Sequence, residues 1–181
     1  ASTLNGLVFN STGGGTTSPT VNSGEGTLTI GAGGIVANPF NPAAAPLVVG
    51  RIDLGLNPST VTVNTYDFNG VVDVAPTTPG LVLGGLLGSS GGFTKLGAGV
   101  LQINQSIFTG PVTVAAGTIL SGALNAGSRF SDLSLQSGTS LNLNGQLTVW
   151  GSLSGAGSVF NSVVNSQTLS VGFNNSDSTF S

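Results

Sequence analysis

The feature that most constrains this sequence is a set of short runs in which apolar and polar residues alternate, each bounded by turn-forming residues. Alternation with period two is typical of β-strands with one buried face, and the flanking Gly, Asn, Ser and Pro favour tight turns. Helical spacing of apolar residues is nearly absent, so the sequence predicts an all-β protein. The runs are Leu28–Ile30, Val61–Val63, Val100–Ile103, Val112–Val114, Leu133–Leu135, Leu141–Leu143, Leu147–Val149 and Leu169–Val171.

Two all-β architectures fit short strands: an antiparallel sandwich or barrel, and a parallel β-helix in which each coil pairs with the next. A sandwich favours longer strands with charged edges, whereas only 5% of this chain is charged. We therefore expect a right-handed parallel β-helix (β-solenoid). At roughly 20 to 25 residues per coil, the chain supplies about eight rungs. Residues 1–181 form one segment, with irregular coils and side loops over 1–90, a motif over 91–120 and regular coils over 121–181.

Composition excludes several functional classes. The chain has no Cys, Met or His, so we expect no disulfide, no metal site and no cofactor, and the usual general base is missing. The three basic residues, Arg51, Lys95 and Arg129, are far apart in sequence, which argues against nucleic-acid binding. The longest apolar runs, such as 80–87, are shorter than the roughly 20 residues of a membrane-spanning helix.

A specific motif occupies residues 93–120. It begins Phe-Thr-Lys-Leu-Gly-Ala-Gly-Val-Leu-Gln-Ile, continues with Phe-Thr-Gly at 108–110, and ends in Val-Thr-Val-Ala-Ala-Gly-Thr-Ile-Leu at 112–120. This pattern closely resembles the autotransporter-associated β-strand repeat, with Val100 in place of the commoner Thr and Pro111 in place of Gly. The positions that carry the resemblance are Phe93, Thr94, Lys95, Gly97, Gly99, Leu101, Phe108, Thr109, Gly110, Val112, Val114, Gly117 and Thr118.

The resemblance implies a passenger-type β-helix, secreted or held at a bacterial cell surface. The motif also has a physical interpretation. Its glycines at 97, 99, 110 and 117 are expected where the coil bends sharply or adopts positive φ, and Lys95 is expected to cap carbonyls at a corner. The side chains expected to point inward and stack are Leu96, Leu101, Ile103, Val112, Val114 and Ile119.

Few residues offer catalytic chemistry. Asp67 and Asp73 are the best pair for a carboxylate-based polysaccharide-degrading site, but the Asn-Gly turn between them makes a shared strand face improbable. Arg51 and Asp53, two residues apart, share a face of a strand and are expected to form a surface ion pair.

Four further side chains are expected to be structural. Trp150, the only tryptophan, is expected to fill the core or a corner, the alternative being a platform on which a sugar stacks. The residues Asn10, Asn104 and Asn174 begin glycosylation-type sequences, and we interpret them as stacking asparagines.

These observations favour a non-enzymatic extracellular rod. Neither 1–6 nor 174–181 resembles a helical or charged cap, so the sequence favours head-to-tail association of the chain with itself into a stalk, sheath or filament. An adhesin that binds host or cell-surface glycans through the side loops at 38–46 and 75–79 is the alternative. A polysaccharide-degrading enzyme is the third hypothesis.

Overall fold

The computed structural model describes residues 1–10, 15–68, 71–73, 77–177 and 179–181, with side chains left undescribed at 67–68 and 71–73. Within these residues the secondary structure consists of strands and turns, without a helix. The strands are β1 (Ser2–Asn10), β2 (Thr20–Asn38), β3 (Leu47–Asp53), β4 (Ser59–Val63), β5 (Tyr66–Phe68), β6 (Val71–Asp73), β7 (Leu81–Gly88), β8 (Phe93–Leu96), β9 (Val100–Ser106), β10 (Val112–Val114), β11 (Thr118–Ser121), β12 (Asp132–Leu135), β13 (Ser140–Asn142), β14 (Thr148–Val149), β15 (Ser152–Gly155), β16 (Ser158–Phe160) and β17 (Leu169–Ser170).

Successive coils of the chain pair in parallel, so the predicted parallel β-solenoid is confirmed. One 13-stranded sheet runs in the order β15-β12-β10-β8-β4-β2-β3-β7-β9-β11-β13-β16, with β1 on β2. A single column of register partners crosses the molecule and gives eight rungs among the described residues. This column is Leu7, Ile35, Val61, Lys95, Val114, Leu135, Gly155 and Phe180.

The interior is one continuous apolar cluster that runs along the axis. A second column of register partners, Leu81, Leu101, Ile119 and Leu141, is buried on another face of the coil. Because each coil buries its apolar side chains only against its neighbours, stability depends on stacking. Among the described residues, the buried side chains thus form one continuous core along the axis.

Several strands are longer than the three to five residues expected, because the ladder continues through a bent corner. In β7 the register shifts between Leu83 and Leu86. At this corner the backbones of two successive coils are in close contact: a Cβ on Gly85 would lie 1.8 Å from the carbonyl oxygen of Gly50 in the preceding coil. Strand β7 therefore continues around this corner and contributes to two faces of its coil.

The irregular coils expected before residue 90 carry two excursions. Residues 39–46 form a loop between β2 and β3, in which Ala44 N–H donates to the carbonyl oxygen of Asn41 at 2.9 Å. The strands β5 and β6 pair antiparallel, with Asp67 opposite Val72. This small hairpin lengthens the coil between Val61 and its partner Lys95.

Candidate functional site

The motif lysine lies inside the rod. Strand β8 directs Phe93 and Lys95 inward and leaves Thr94 and Leu96 half-buried on the outer side. The expectation that Leu96 points inward is wrong. Side chains alternate along β8, so that Lys95 points inward and Leu96 points outward. Lys95 is 0% exposed and lies in the apolar column between Val61 and Val114.

The ammonium group of Lys95 is saturated by backbone acceptors. Its Nζ donates to the carbonyl oxygens of Leu96 at 3.0 Å, Gly97 at 2.6 Å and Ala116 at 2.9 Å. A lysine has three N–H donors, so all three are used. The predicted capping of corner carbonyls is confirmed, and the cap joins two successive coils.

Burial also changes the ionisation of this lysine. Loss of hydration disfavours the charged amine and lowers the pKa of Lys95 from 10.5 to about 7. The three carbonyl acceptors work in the opposite direction, since they stabilise the ammonium. Lys95 is therefore a structural residue whose pKa lies near neutral pH.

The motif glycines allow close approach between coils. Gly97 and Gly117 have φ of +75° and +72°, in the left-handed region that favours glycine. Gly99 and Gly110 do not have positive φ, but a Cβ on either would lie 2.4 Å or less from a backbone atom of the previous coil. Corners and close approaches are thus where the sequence predicted them.

Aromatic side chains stack in the core beside this corner. The rings of Phe93 and Phe108 meet edge to face with centroids 5.4 Å apart, and Phe108 stacks on Trp150 at 6.0 Å. Trp150 is 1% exposed, so its predicted role as a core filler is confirmed and it offers no platform for a sugar. Its buried indole N–H has no hydrogen-bond partner within the described structure.

Polar side chains form ladders on the outside of the coils. Asn38 donates to Asn10 at 2.7 Å and Asn64 donates to Asn38 at 2.6 Å, which confirms stacking for Asn10. Stacking is wrong for the other two asparagines: Asn104 accepts from Gln102 of its own strand at 2.8 Å, and Asn174 binds a carboxylate. The motif residue Thr118 shares a hydrogen bond of 2.8 Å with Ser140 of the next coil.

That carboxylate is Asp132, a residue that sequence reasoning missed. Its Oδ1 accepts from Ser152 Oγ at 2.5 Å and from Asn174 Nδ2 at 2.6 Å. Hydrogen bonds from Ser152 and Asn174, with a smaller one from Ser176, hold the pKa of Asp132 below its usual value, although partial burial opposes them. Asp132 therefore links the last coil to the two before it. Ser152 and Asn174 follow Asp132 by 20 and 42 residues. This spacing is the only sequence signal for the cluster, and it indicates contact only when the length of a coil is known.

The other charged residues singled out in the sequence are Arg51, Asp53, Asp67 and Asp73. Arg51 and Asp53 share the outer face of β3, but no ion pair joins them, and Asp53 Oδ1 instead accepts from the N–H of Gly55 at 2.9 Å. Asp67 and Asp73 lie on the paired strands β5 and β6, and their side chains lie outside the described residues. Among the described residues, no group of three or more His, Cys, Asp or Glu could hold a metal ion.

Two shallow grooves run along one side of the rod. The first, of about 270 Å³, is lined by Thr27, Arg51, Asp53, Ile107 and the motif residue Thr109. The second, of about 220 Å³, is lined by Ile107, Asn125, Arg129 and Phe130 among others. Ile107 lines both grooves, so they are neighbours on the surface. We call the combined feature the lateral cleft.

Comparisons with known proteins identify no relative. No family model matches the sequence, no curated protein matches it, and no solved structure matches the fold. The part of the chain that the structure describes contains no helix long and apolar enough to cross a membrane. The resemblance to the autotransporter-associated repeat thus stays a prediction.

Proposed function

We propose that this chain is a non-enzymatic structural rod of the cell exterior that associates end to end through its terminal coils. The observation that carries the proposal is the column of register partners from Leu7 to Phe180, in which each coil of the described structure pairs in parallel with the next. Within the described residues, strand β1 pairs only with β2, which leaves its other edge unpaired there. Such an edge favours the addition of a further strand.

Both ends also expose apolar side chains. At the first rung Leu4 is 40% exposed and Val8 is 59% exposed, and at the last rung Phe180 is 41% exposed. Leu7 and Phe180 occupy the same column, so a second copy that adds its Leu7 over Phe180 would continue both the core and the parallel ladder. Such an interface is heterologous and generates an open filament rather than a closed dimer.

The chemistry of the described residues supports a structural role. Lys95, whose pKa is lowered by burial, is 0% exposed and donates to three backbone carbonyl oxygens. The absence of Cys and the scarcity of charge suit a protein that is exported and then stabilised by stacking. The outer faces carry Ser, Thr and Asn ladders, which repeat at the ~4.8 Å rung spacing.

Sedimentation velocity and negative-stain electron microscopy over a concentration series test the proposal. We expect the unmodified chain to form rods that lengthen with concentration and Phe180→Lys to stay monomeric, because a charge at the end of the core column opposes stacking. Leu56→Lys is the matched control, since Leu56 is 84% exposed on the side of the rod between β3 and β4. Monomers of the unmodified chain at every concentration would overturn the proposal, as would rods formed equally by Phe180→Lys.

A further inference from the structure

The lateral cleft gathers the accessible positive charge of the protein. The chain has three basic residues and a net charge of −3. Lys95 is buried, and the two remaining cations, Arg51 and Arg129, are both exposed and both line the cleft. On an otherwise acidic molecule, this placement makes one side attractive to anions.

Neither arginine is committed to a partner carboxylate. Within the described structure Arg51 has no side-chain hydrogen bond and no ion pair, and the guanidinium of Arg129 lies 5.6 Å above the ring of Phe173. Both guanidinium groups therefore remain able to form paired hydrogen bonds with an incoming carboxylate. Asp53 is the one carboxylate in the cleft, and one of its oxygens is already occupied by the N–H of Gly55.

The remaining lining suits a hydroxylated polymer. Thr27 and Thr109 supply hydroxyl groups beside Arg51, while Ile107 and Phe130, which are 51% and 64% exposed, provide apolar surface between and beside the two arginines. Specific ligand sites combine such apolar surface with a few polar groups that fix orientation. Sugar rings present both apolar C–H faces and hydroxyls.

The cleft is long enough for an extended chain of sugars. Arg51 pairs in register with Leu86, whose partner Gln105 lies two residues before Ile107, and the next coil carries Arg129. Three rung spacings of ~4.8 Å separate the two arginines by about 14 Å along the axis. From this arrangement we infer that the lateral cleft binds an acidic polysaccharide, with Arg51 and Arg129 each holding a carboxylate of the same chain.

This inference is independent of end-to-end association. The cleft lies on the side of the rod, where it stays accessible whether or not further copies stack on the ends. Binding and filament formation therefore succeed or fail separately.

Calorimetric titration of the full chain with hexameric galacturonate tests the inference, and the fully methyl-esterified hexamer is the uncharged control ligand. We expect the acidic hexamer to bind and the ester not to bind. Arg51→Gln and Arg129→Gln should each weaken binding about tenfold, as loss of a charged hydrogen-bonded contact requires. Circular dichroism and the unfolding midpoint establish that both variants keep the fold.

Thr113→Glu is the matched control variant, because it lowers the net charge by the same amount on the outer side of β10, away from the cleft. We expect its affinity to stay within about twofold of the original, a change of about 0.4 kcal/mol. Absence of binding by the unmodified chain, equal binding of the ester, or an equal loss in Thr113→Glu would each overturn the inference. Equally tight binding of duplex DNA would overturn it too, because it would show a general attraction of polyanions.

Discussion

Lys95 supplies hydrogen-bond donors to carbonyl oxygens that the corners of the coil bury. The tight corner at Gly97 and the corner above it at Ala116 direct carbonyl oxygens into the interior, where water is excluded. Unpaired buried carbonyls are costly, and a lysine directed along the core can satisfy three at once. The energetic penalty is a buried charge with no carboxylate beside it, which is why the pKa falls to about 7.

This arrangement predicts an unusual pH dependence of stability. The pKa of Lys95 is about 7 in the folded chain and 10.5 in the unfolded chain. Between these values the unfolded chain binds more protons, so the free energy of unfolding should rise with pH, by at most about 1.4 kcal/mol per pH unit. Lys95→Met should remove this increase. Urea unfolding of both chains at pH 6, 7.5 and 9 measures the difference, and parallel pH profiles would contradict the assignment.

Gly97 and Gly138 separate two reasons for which a coil needs glycine. Both have positive φ, +75° and +79°, but a Cβ on Gly97 would lie 2.3 Å from the carbonyl oxygen of Val63, whereas nothing lies within 4 Å of one on Gly138. Gly138→Ala should therefore cost only the backbone strain of about 1 to 2 kcal/mol. Gly97→Ala must also displace the neighbouring coil and should cost more than about 4 kcal/mol. Equal losses in urea unfolding would show that crowding at this corner is relieved without cost.

At the scale of the strand, the sequence predicted which elements exist better than where they end. Every alternating run from Leu28–Ile30 to Leu169–Val171 overlaps a strand, because period two requires one buried face. Strand β7 was not predicted, since Gly84 and Gly85 are typical of a turn. In the structure they form a bend through which the ladder continues, because Gly85 packs directly against Gly50. That contact joins residues 35 positions apart and leaves no local signal.

The same limit applies to the site. The carbonyl-capping role of Lys95 could be predicted from the motif, whereas its inward direction depends on the register of β8 against Val61 and Val114. The lateral cleft could not be predicted, because Arg51 and Arg129 lie on the same side of the rod only when the two coils between them are stacked. Asp132 was missed for the same reason. The alternation of apolar and polar residues predicts where strands form. Which side chains are neighbours in successive coils depends on the length of each coil.

At the scale of the whole molecule, the coils of a solenoid contact only their nearest neighbours. Each rung contacts the rungs above and below it, so its stability is approximately the sum of its own packing and two interfaces. Trp150 makes this property measurable, since it is the only tryptophan and lies in the core on the far side of Phe108 from the first rung. Its fluorescence reports the coils around it, while circular dichroism reports all the strands.

Two core truncations at different heights should therefore behave differently. Phe108→Ala removes a fully buried ring in contact with Trp150 and should lower the stability reported by tryptophan fluorescence by about 3 to 5 kcal/mol. Phe9→Ala removes a ring of similar burial at the first rung and should leave the urea midpoint of Trp150 nearly unchanged, while the circular dichroism transition broadens. If Phe9→Ala shifts the Trp150 midpoint as much as Phe108→Ala does, the rod unfolds as a single cooperative unit. Stacking energy would then couple all eight rungs more strongly than nearest-neighbour contact implies, and a damaged end coil would weaken the whole rod rather than fray alone.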